Sequence, residues 1–198
     1  MRLGRQRWVG IAYLLLAILT YELLNHIPRG TPLDLSTEFD KSIPVLPIFV
    51  VPYLSFIPIL FVALPLLLWR NAKEFKLFGL TVFITQMVLN ALYLLVPATL
   101  PRPTLSGSDV FTFLLRDLVW QLDGPINTFP SNHVALSVIA ILVLGFLGGW
   151  RKYLALQIWL AVICFSTLFV HQHVLADVVG GVVCGALVTL LVSPLRSA

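Results

Sequence analysis

The sequence predicts an all-α fold, an integral membrane bundle of six transmembrane helices built as a single domain over residues 1–198. Three observations predict it. Apolar residues make up 59% of the chain, charged residues only 11%, and the mean hydropathy is +0.95, a composition foreign to an ordinary soluble domain. The apolar residues gather in six runs close to the ~20 residues that a spanning helix needs. The 13 Lys and Arg residues lie between those runs and form no basic block with interleaved aromatics, so the formal charge of +4 reports topology in a bilayer and no nucleic-acid partner.

The first run, Trp8 to Leu24, follows Arg2, Arg5 and Arg7 and precedes no small-residue cleavage site, so it is expected to stay as a helix and not to leave as a signal peptide. The second, Ile43 to Trp69, carries Pro44, Pro47, Pro52, Pro58 and Pro65 and is expected to kink or to start irregularly. The third is Leu77 to Val96. In the long connection from Pro97 to Pro130, the polar stretch Ser106 to Asp109 can cap a short amphipathic helix, Val110 to Leu122, expected to lie on the membrane surface. The fourth, fifth and sixth runs are His133 to Trp150, Tyr153 to Val170 and Val174 to Val192. Gly181 and Gly185 in the last of them form a GxxxG pattern whose ordinary meaning is close helix packing. Cys164 and Cys184 lie in apolar runs, offer no CxxC pair or disulfide framework, and read as small packing residues.

With six spans, the N-terminus, the Arg70 to Lys76 loop, the Arg151-Lys152 turn and the C-terminus share one side. That side holds nine Lys or Arg and one acid, Glu74. The other side holds Arg29, Lys41, Arg102 and Arg116 among eight acids, so the positive-inside rule places both termini in the cytoplasm and the opposite face outside or in a lumen. All four His, at 26, 133, 171 and 173, fall on or near that outer face. His26 reads as an interfacial polar group and Arg116 as a snorkelling cation.

Three distant segments converge at this depth: Pro101-Arg102-Pro103, Pro130-Ser131-Asn132-His133, and Ser166 to Asp177. Ionisable groups at a membrane boundary are costly, and their convergence from different helices marks a functional site. Ser131 is placed to cap the fourth helix, whose first N–H groups suit a phosphate. Arg102 can grip phosphate oxygens through two parallel N–H bonds. His173 and Asp177 are four residues apart, one helix face if helical, where the carboxylate holds one ring nitrogen and leaves the other as a nucleophile. His133 is then free for proton transfer. These are the parts for phosphoester cleavage through a phosphohistidine without a metal or other cofactor. A zinc site from His133, His171, His173 and Asp177 is chemically possible. So is a transporter or lipid-binding protein in which Arg102, His173 and Asp177 line a path without covalent chemistry.

The arrangement resembles the type 2 phosphatidic acid phosphatase superfamily, with motifs of the form KxxxxxxRP, PSGH and SRxxxxxHxxxD. Arg102-Pro103 matches the first motif, Pro130 to His133 the second with Asn132 in place of Gly, and Ser166, His173 and Asp177 the third. Asp40 to Pro44 ahead of the Pro-rich run is similar too. The resemblance implies His173 as nucleophile, Asp177 as its orienting carboxylate and His133 as proton donor to the leaving group. It places Arg102, Ser131, Asn132 and Ser166 around the phosphate. The first-motif Lys falls on Leu95 and the third-motif Arg on Thr167, so two phosphate-binding cations of the pattern are absent. Ser166-Thr167 with His171-Gln172-His173 is similar to the branch containing inositol phosphorylceramide synthases, and a phosphodiester needs fewer cations than a monoester. Thr167 and His171, four apart, are expected to replace part of the lost charge. The implied activity is that of a metal-independent lipid phosphatase, with a lipid head-group phosphotransferase as the alternative; the partners are a lipid-phosphate substrate and the bilayer.

Overall fold

The computed structural model describes residues 2–25, 27 and 31–196, so His26 and Arg29, counted above on the outer side, lie outside the described residues. The chain is helical almost throughout. Helix α1, Arg2–Asn25, continues through the first apolar run. A two-residue strand, β1 (Leu33–Asp34), leads to the short α2, Glu38–Ser42, which a capping box between Thr37 and Asp40 starts.

The Pro-rich run becomes regular only at Pro47. It opens with a 3-10 turn, Pro47–Phe49, continues as α3, Val50–Pro58, widens into a π-helical turn over Ile59–Ala63, and ends as α4, Leu64–Leu68. The widened turn follows Pro58 and immediately precedes Pro65, where the ring nitrogen cannot donate to the helix ladder, so the expected irregularity is placed by proline itself. Helix α5, Ala72–Leu95, is longer than its apolar run because Asn71 caps it through the Glu74 N–H, adding a polar first turn. Strand β2, Ala98–Thr99, pairs in parallel with β1, a small sheet that hydropathy did not indicate.

The amphipathic segment folds as α6 (Val110–Phe113), a π-helical stretch (Leu114–Val119) and α7 (Trp120–Leu122), capped by the Asp109 carboxylate as expected. It does not merely rest on a surface. Leu115, Val119 and Trp120 are buried against Val50, Tyr53 and Val170, because the widened turns bring these large side chains onto one face. Helices α8, Asn132–Lys152, α9, Leu154–Phe169, and α10, Leu175–Val192, complete the chain, and a last turn runs over Ser193–Arg196.

Among the described residues, five helical stretches are long and apolar enough to cross a membrane: Leu3–Leu24, Pro47–Leu68, Ala72–Leu95, Asn132–Lys152 and Leu175–Arg196. The expected count of six is not reached on length alone. The fifth run, Tyr153 to Val170, forms the apolar α9 of 16 residues, Leu154–Phe169, and the chain leaves the helix at Val170, where a turn through His173 begins.

Two close crossings organise the bundle. Helix α10 lies on α8, where a Cβ at Gly181 would come within 2.6 Å of the Ser131 carbonyl oxygen and one at Gly185 would strike the Ala135 carbonyl. Helix α1 lies on α5, where a Cβ at Gly79 would come within 2.6 Å of the Gly10 carbonyl oxygen. The main core joins α1, α3, α4, α5, α8 and α9 through Leu14, Phe56, Leu60, Leu64, Phe78, Val82, Ile139, Val143, Leu160 and Ile163. At one end of the bundle Arg7 donates to the Trp69 carbonyl, Lys73 donates to the Arg196 carbonyl, and Arg196 pairs with Glu74. The basic segments that share a side in the sequence argument thus meet at one end, and the candidate site lies at the other.

Candidate active site

Backbone capping builds the site first. Ser131 is the N-cap of α8, accepting the Val134 N–H at 3.3 Å, and its own N–H donates to the Asp177 carbonyl at 3.0 Å, so the starts of α8 and α10 are tied together. Asp177 sits in the first turn of α10 and is fully buried. Its Oδ2 accepts the Val174 N–H at 3.0 Å and lies 3.3 Å from Nδ1 of His173. His173 precedes the helix, so the pairing does not come from a shared helix face: the carboxylate reaches back as a capping group and meets the ring on the way. Asp40 completes the anchoring across 135 residues, with Oδ1 accepting the Leu175 N–H at 2.7 Å and Oδ2 accepting from Thr37.

His133 lies in the first turn of α8 between two aromatic rings, stacked on Tyr53 at 4.5 Å and tilted against Phe56 at 4.4 Å. Its ring centroid is 6.1 Å from that of His173. Both histidines border a small cavity of about 20 Å³ together with Asn132 and Gln172. That space adjoins a larger cavity of about 770 Å³, and Tyr21, Asp123, Asn132 and His133 border both. The larger cavity is graded: Glu22, Tyr53, Asp123 and Asn132 stand at the histidine end, while Ala17, Ile18, Phe61, Val82 and Leu136, with the single polar residue Gln86, form its deeper wall. A polar end beside two imidazoles and an apolar end inside the bundle suit an amphiphile.

The Arg102 guanidinium makes a three-way tie, donating to the His171 carbonyl at 2.5 Å, Gln172 Oε1 at 2.6 Å and the Asp123 carbonyl at 3.0 Å, and lying 5.5 Å from the Trp120 ring centre. Burial lowers its pKa, and Asp123 opposes that shift. Trp120 in turn donates its indole N–H to the Val170 carbonyl at 2.9 Å. Arg102 therefore holds the turn before His173 from behind and borders neither histidine cavity.

Of the expected phosphate-side residues, Ser131 and Asn132 stand at the start of α8 as anticipated. Ser166 and Thr167 are fully buried, and their hydroxyls donate to the Ile163 and Cys164 carbonyls of their own helix at 2.7 Å each. The Thr167 carbonyl accepts from both Gln172 and His173, shaping the turn. The pairing of Thr167 with His171 on one helix face does not form, since the helix ends at Phe169 and His171 adopts φ 53°. His171 borders a further cavity of about 200 Å³, which His173 also lines, with Asp34, Asp40 and Lys41. Burial first, then the Arg102 charge, lower the His171 pKa, which favours the neutral ring.

Sequence reasoning missed Asp123, Gln172 and Asp40 as parts of the site. Asp123 accepts the Tyr53 hydroxyl at 2.7 Å, and Gln172 is only 4% exposed, with its Nε2 unpartnered. No periodicity carries such a signal; the Arg102–Gln172 and Tyr53–Asp123 contacts each span 70 residues. Among the described residues, no group of three or more His, Cys, Asp or Glu is placed to hold a metal.

A family model described as the PAP2 superfamily matches residues 78–198, more than half of the chain. No curated protein and no solved structure matches it.

Proposed function

The chain belongs to the PAP2 superfamily, whose members are generally phosphatases or phosphotransferases, and from that premise we propose that it is a membrane phosphoesterase acting on a phosphate-containing lipid through a phosphohistidine at His173. The observation that carries the reading is the pairing of His173 with buried Asp177, 6.1 Å from His133, at the polar end of an amphiphilic cavity.

The Asp177 carboxylate holds the proton on Nδ1 of His173 and leaves the Nε2 lone pair for phosphorus. As the N–P bond forms, the bond from phosphorus to the leaving oxygen breaks, and His133 gives that oxygen a proton. An incoming hydroxyl then attacks phosphorus, the N–P bond breaks, and the proton returns to His133. The free N–H groups of the first turn of α8 face the charge that develops on the phosphoryl oxygens, and Arg102 fixes the turn that carries His173. The bundle has six spans in this reading, with α9 crossing as the shortest, both termini cytoplasmic and the site outside or lumenal. Water as acceptor gives a lipid phosphatase; an alcohol gives a head-group transferase, the reading favoured by the missing cations at Leu95 and Thr167.

The test incubates purified protein with a panel of phospholipids, with and without alcohol acceptors, and identifies products by mass. Released phosphate or exchanged head groups are expected, with turnover surviving exhaustive chelation. Intact lipids in every arm, or loss of turnover with chelator that zinc restores, would contradict the proposal.

A further inference from the structure

The charges around the two histidine cavities bear on the head group. Neither of the two cavities that His133 lines is bordered by Lys or Arg, and in the third, which His173 lines, Lys41 stands with Asp34 and Asp40; Glu22 and Asp123 border the larger one, together with the rings of Tyr21 and Tyr53. Asp123 borders both; Tyr53 donates to one of its oxygens, and the other takes no hydrogen bond from a described residue. The nearby guanidinium, Arg102, is committed to two carbonyl oxygens and one amide oxygen. A phosphomonoester would bring close to two negative charges into these surroundings, and a diester brings one.

An ammonium in the head group reverses the sign of the meeting with Asp123, and the Tyr21 ring, which borders both cavities, adds attraction for it. Gln172, 4% exposed with its Nε2 unpartnered, borders the small cavity and offers a donor for a phosphoryl oxygen. Donors at Gln172 and the start of α8 thus stand beside acceptors at Asp123 and Glu22, the two halves of a zwitterion. We infer that the substrate class is a zwitterionic phosphodiester lipid, whose head group carries an amine or a quaternary ammonium, and that Asp123 selects it. This rests on the reading of the site as a lipid phosphoester centre. A neutral inositol head group would offer Asp123 hydroxyl donors but no countercharge, and phosphatidic acid would meet it as a like charge.

The test reads recognition apart from turnover. Full-length His173→Ala protein in detergent is titrated with dioleoyl phosphatidylcholine, phosphatidylethanolamine, phosphatidylglycerol and phosphatidic acid, and bound lipid is counted by native mass spectrometry. The two zwitterionic lipids are expected to be retained about tenfold over the two anionic ones. Asp123→Asn in the same background should bring that ratio near one, and Asp123→Lys should reverse it. Equal retention before the Asp123 change, or an unchanged ratio in folded Asp123→Asn protein, overturns the selection. Should the Asp123 variants not fold, tetramethylammonium chloride must displace phosphatidylcholine from the His173→Ala protein more than sodium chloride at equal ionic strength does; equal displacement overturns it. In the parent protein, turnover of phosphatidic acid or phosphatidylglycerol ahead of the zwitterionic lipids overturns the selection and leaves the enzymatic reading standing. Selective binding with no turnover of any lipid does the opposite.

Discussion

His171 and His173 are two residues apart and meet different surroundings. His171 is held as the neutral base by burial and by Arg102, so its folded pKa lies below the ordinary value near 6.5. A depressed pKa stabilises the fold above the unfolded value and loses that contribution as pH falls through the folded one. Asp40 acts in the same direction: burial pushes its pKa up, and hydrogen bonds from the Thr37 hydroxyl and the Leu175 N–H outweigh it and leave the group below the usual carboxylate range. Thermal melts are therefore expected to fall as pH drops below about 6.5 from His171 and further as it drops below about 3.8 from Asp40. His171→Gln should flatten the first step, and a slope unchanged by that substitution would assign it elsewhere. At His133 the expectation concerns leaving groups. His133→Ala should lose roughly 100-fold on a lipid substrate, the scale of general acid catalysis, but much less on an aryl phosphoester with an acidic phenol, whereas His173→Ala fails on both. Equal losses on the two substrates would contradict the division of roles. The motif residues were legible because their chemistry is spelled by identity and spacing. Asp123, Gln172 and Asp40 were not, since their partners lie 70 or more residues away.

At the scale of elements, the contact between α8 and α10 sets the distance between the two histidines, because each helix carries one motif at its start. Gly185 has no room for a methyl group beside the Ala135 carbonyl. Gly185→Ala is expected to destabilise by about 2 kcal/mol, typical of overpacking, and to lower turnover more than lipid binding by shifting His133 relative to His173. Denaturation and kcat measured on the same preparation check it; unchanged values of both would mean the helices yield at no cost. GxxxG made this crossing legible in sequence, whereas Gly10 and Gly79 of α1 and α5 belong to no such pattern and gave no sign. The amphipathic helix was legible in extent and cap but not in placement. Its π-helical stretch brings Leu115, Val119 and Trp120 together, a register that a 3.6-residue period does not describe. Trp120→Ala should loosen the turn carrying His173, since it removes the bond to Val170 and the platform under Arg102. Faster hydrogen exchange at 170–173 would be the sign of it, and exchange rates equal to the parent's would contradict that role.

For the whole molecule, the proposed orientation rests on the nine-to-four division of basic residues and on the meeting of Arg7, Lys73 and Arg196 at one end. With Cys164 and Cys184 replaced by Ala, a Cys at exposed Ser106 should react with an impermeant thiol reagent in intact cells, and a Cys at exposed Lys152 should not. The reverse pattern would invert the topology. Hydropathy marked the fifth run to within a residue of α9 at either end but gave no sign of the turn beyond it that delivers His173. That turn places His173 against Asp177, and the whole account depends on the imidazole it presents. The most direct test is the mass of His173-containing peptides from protein quenched in base during turnover of a phosphodiester lipid. The account predicts an adduct on His173, stable in base and lost in acid, that is absent from His173→Ala protein. Turnover without any adduct, or a His173→Ala protein that still turns lipid over, would contradict it.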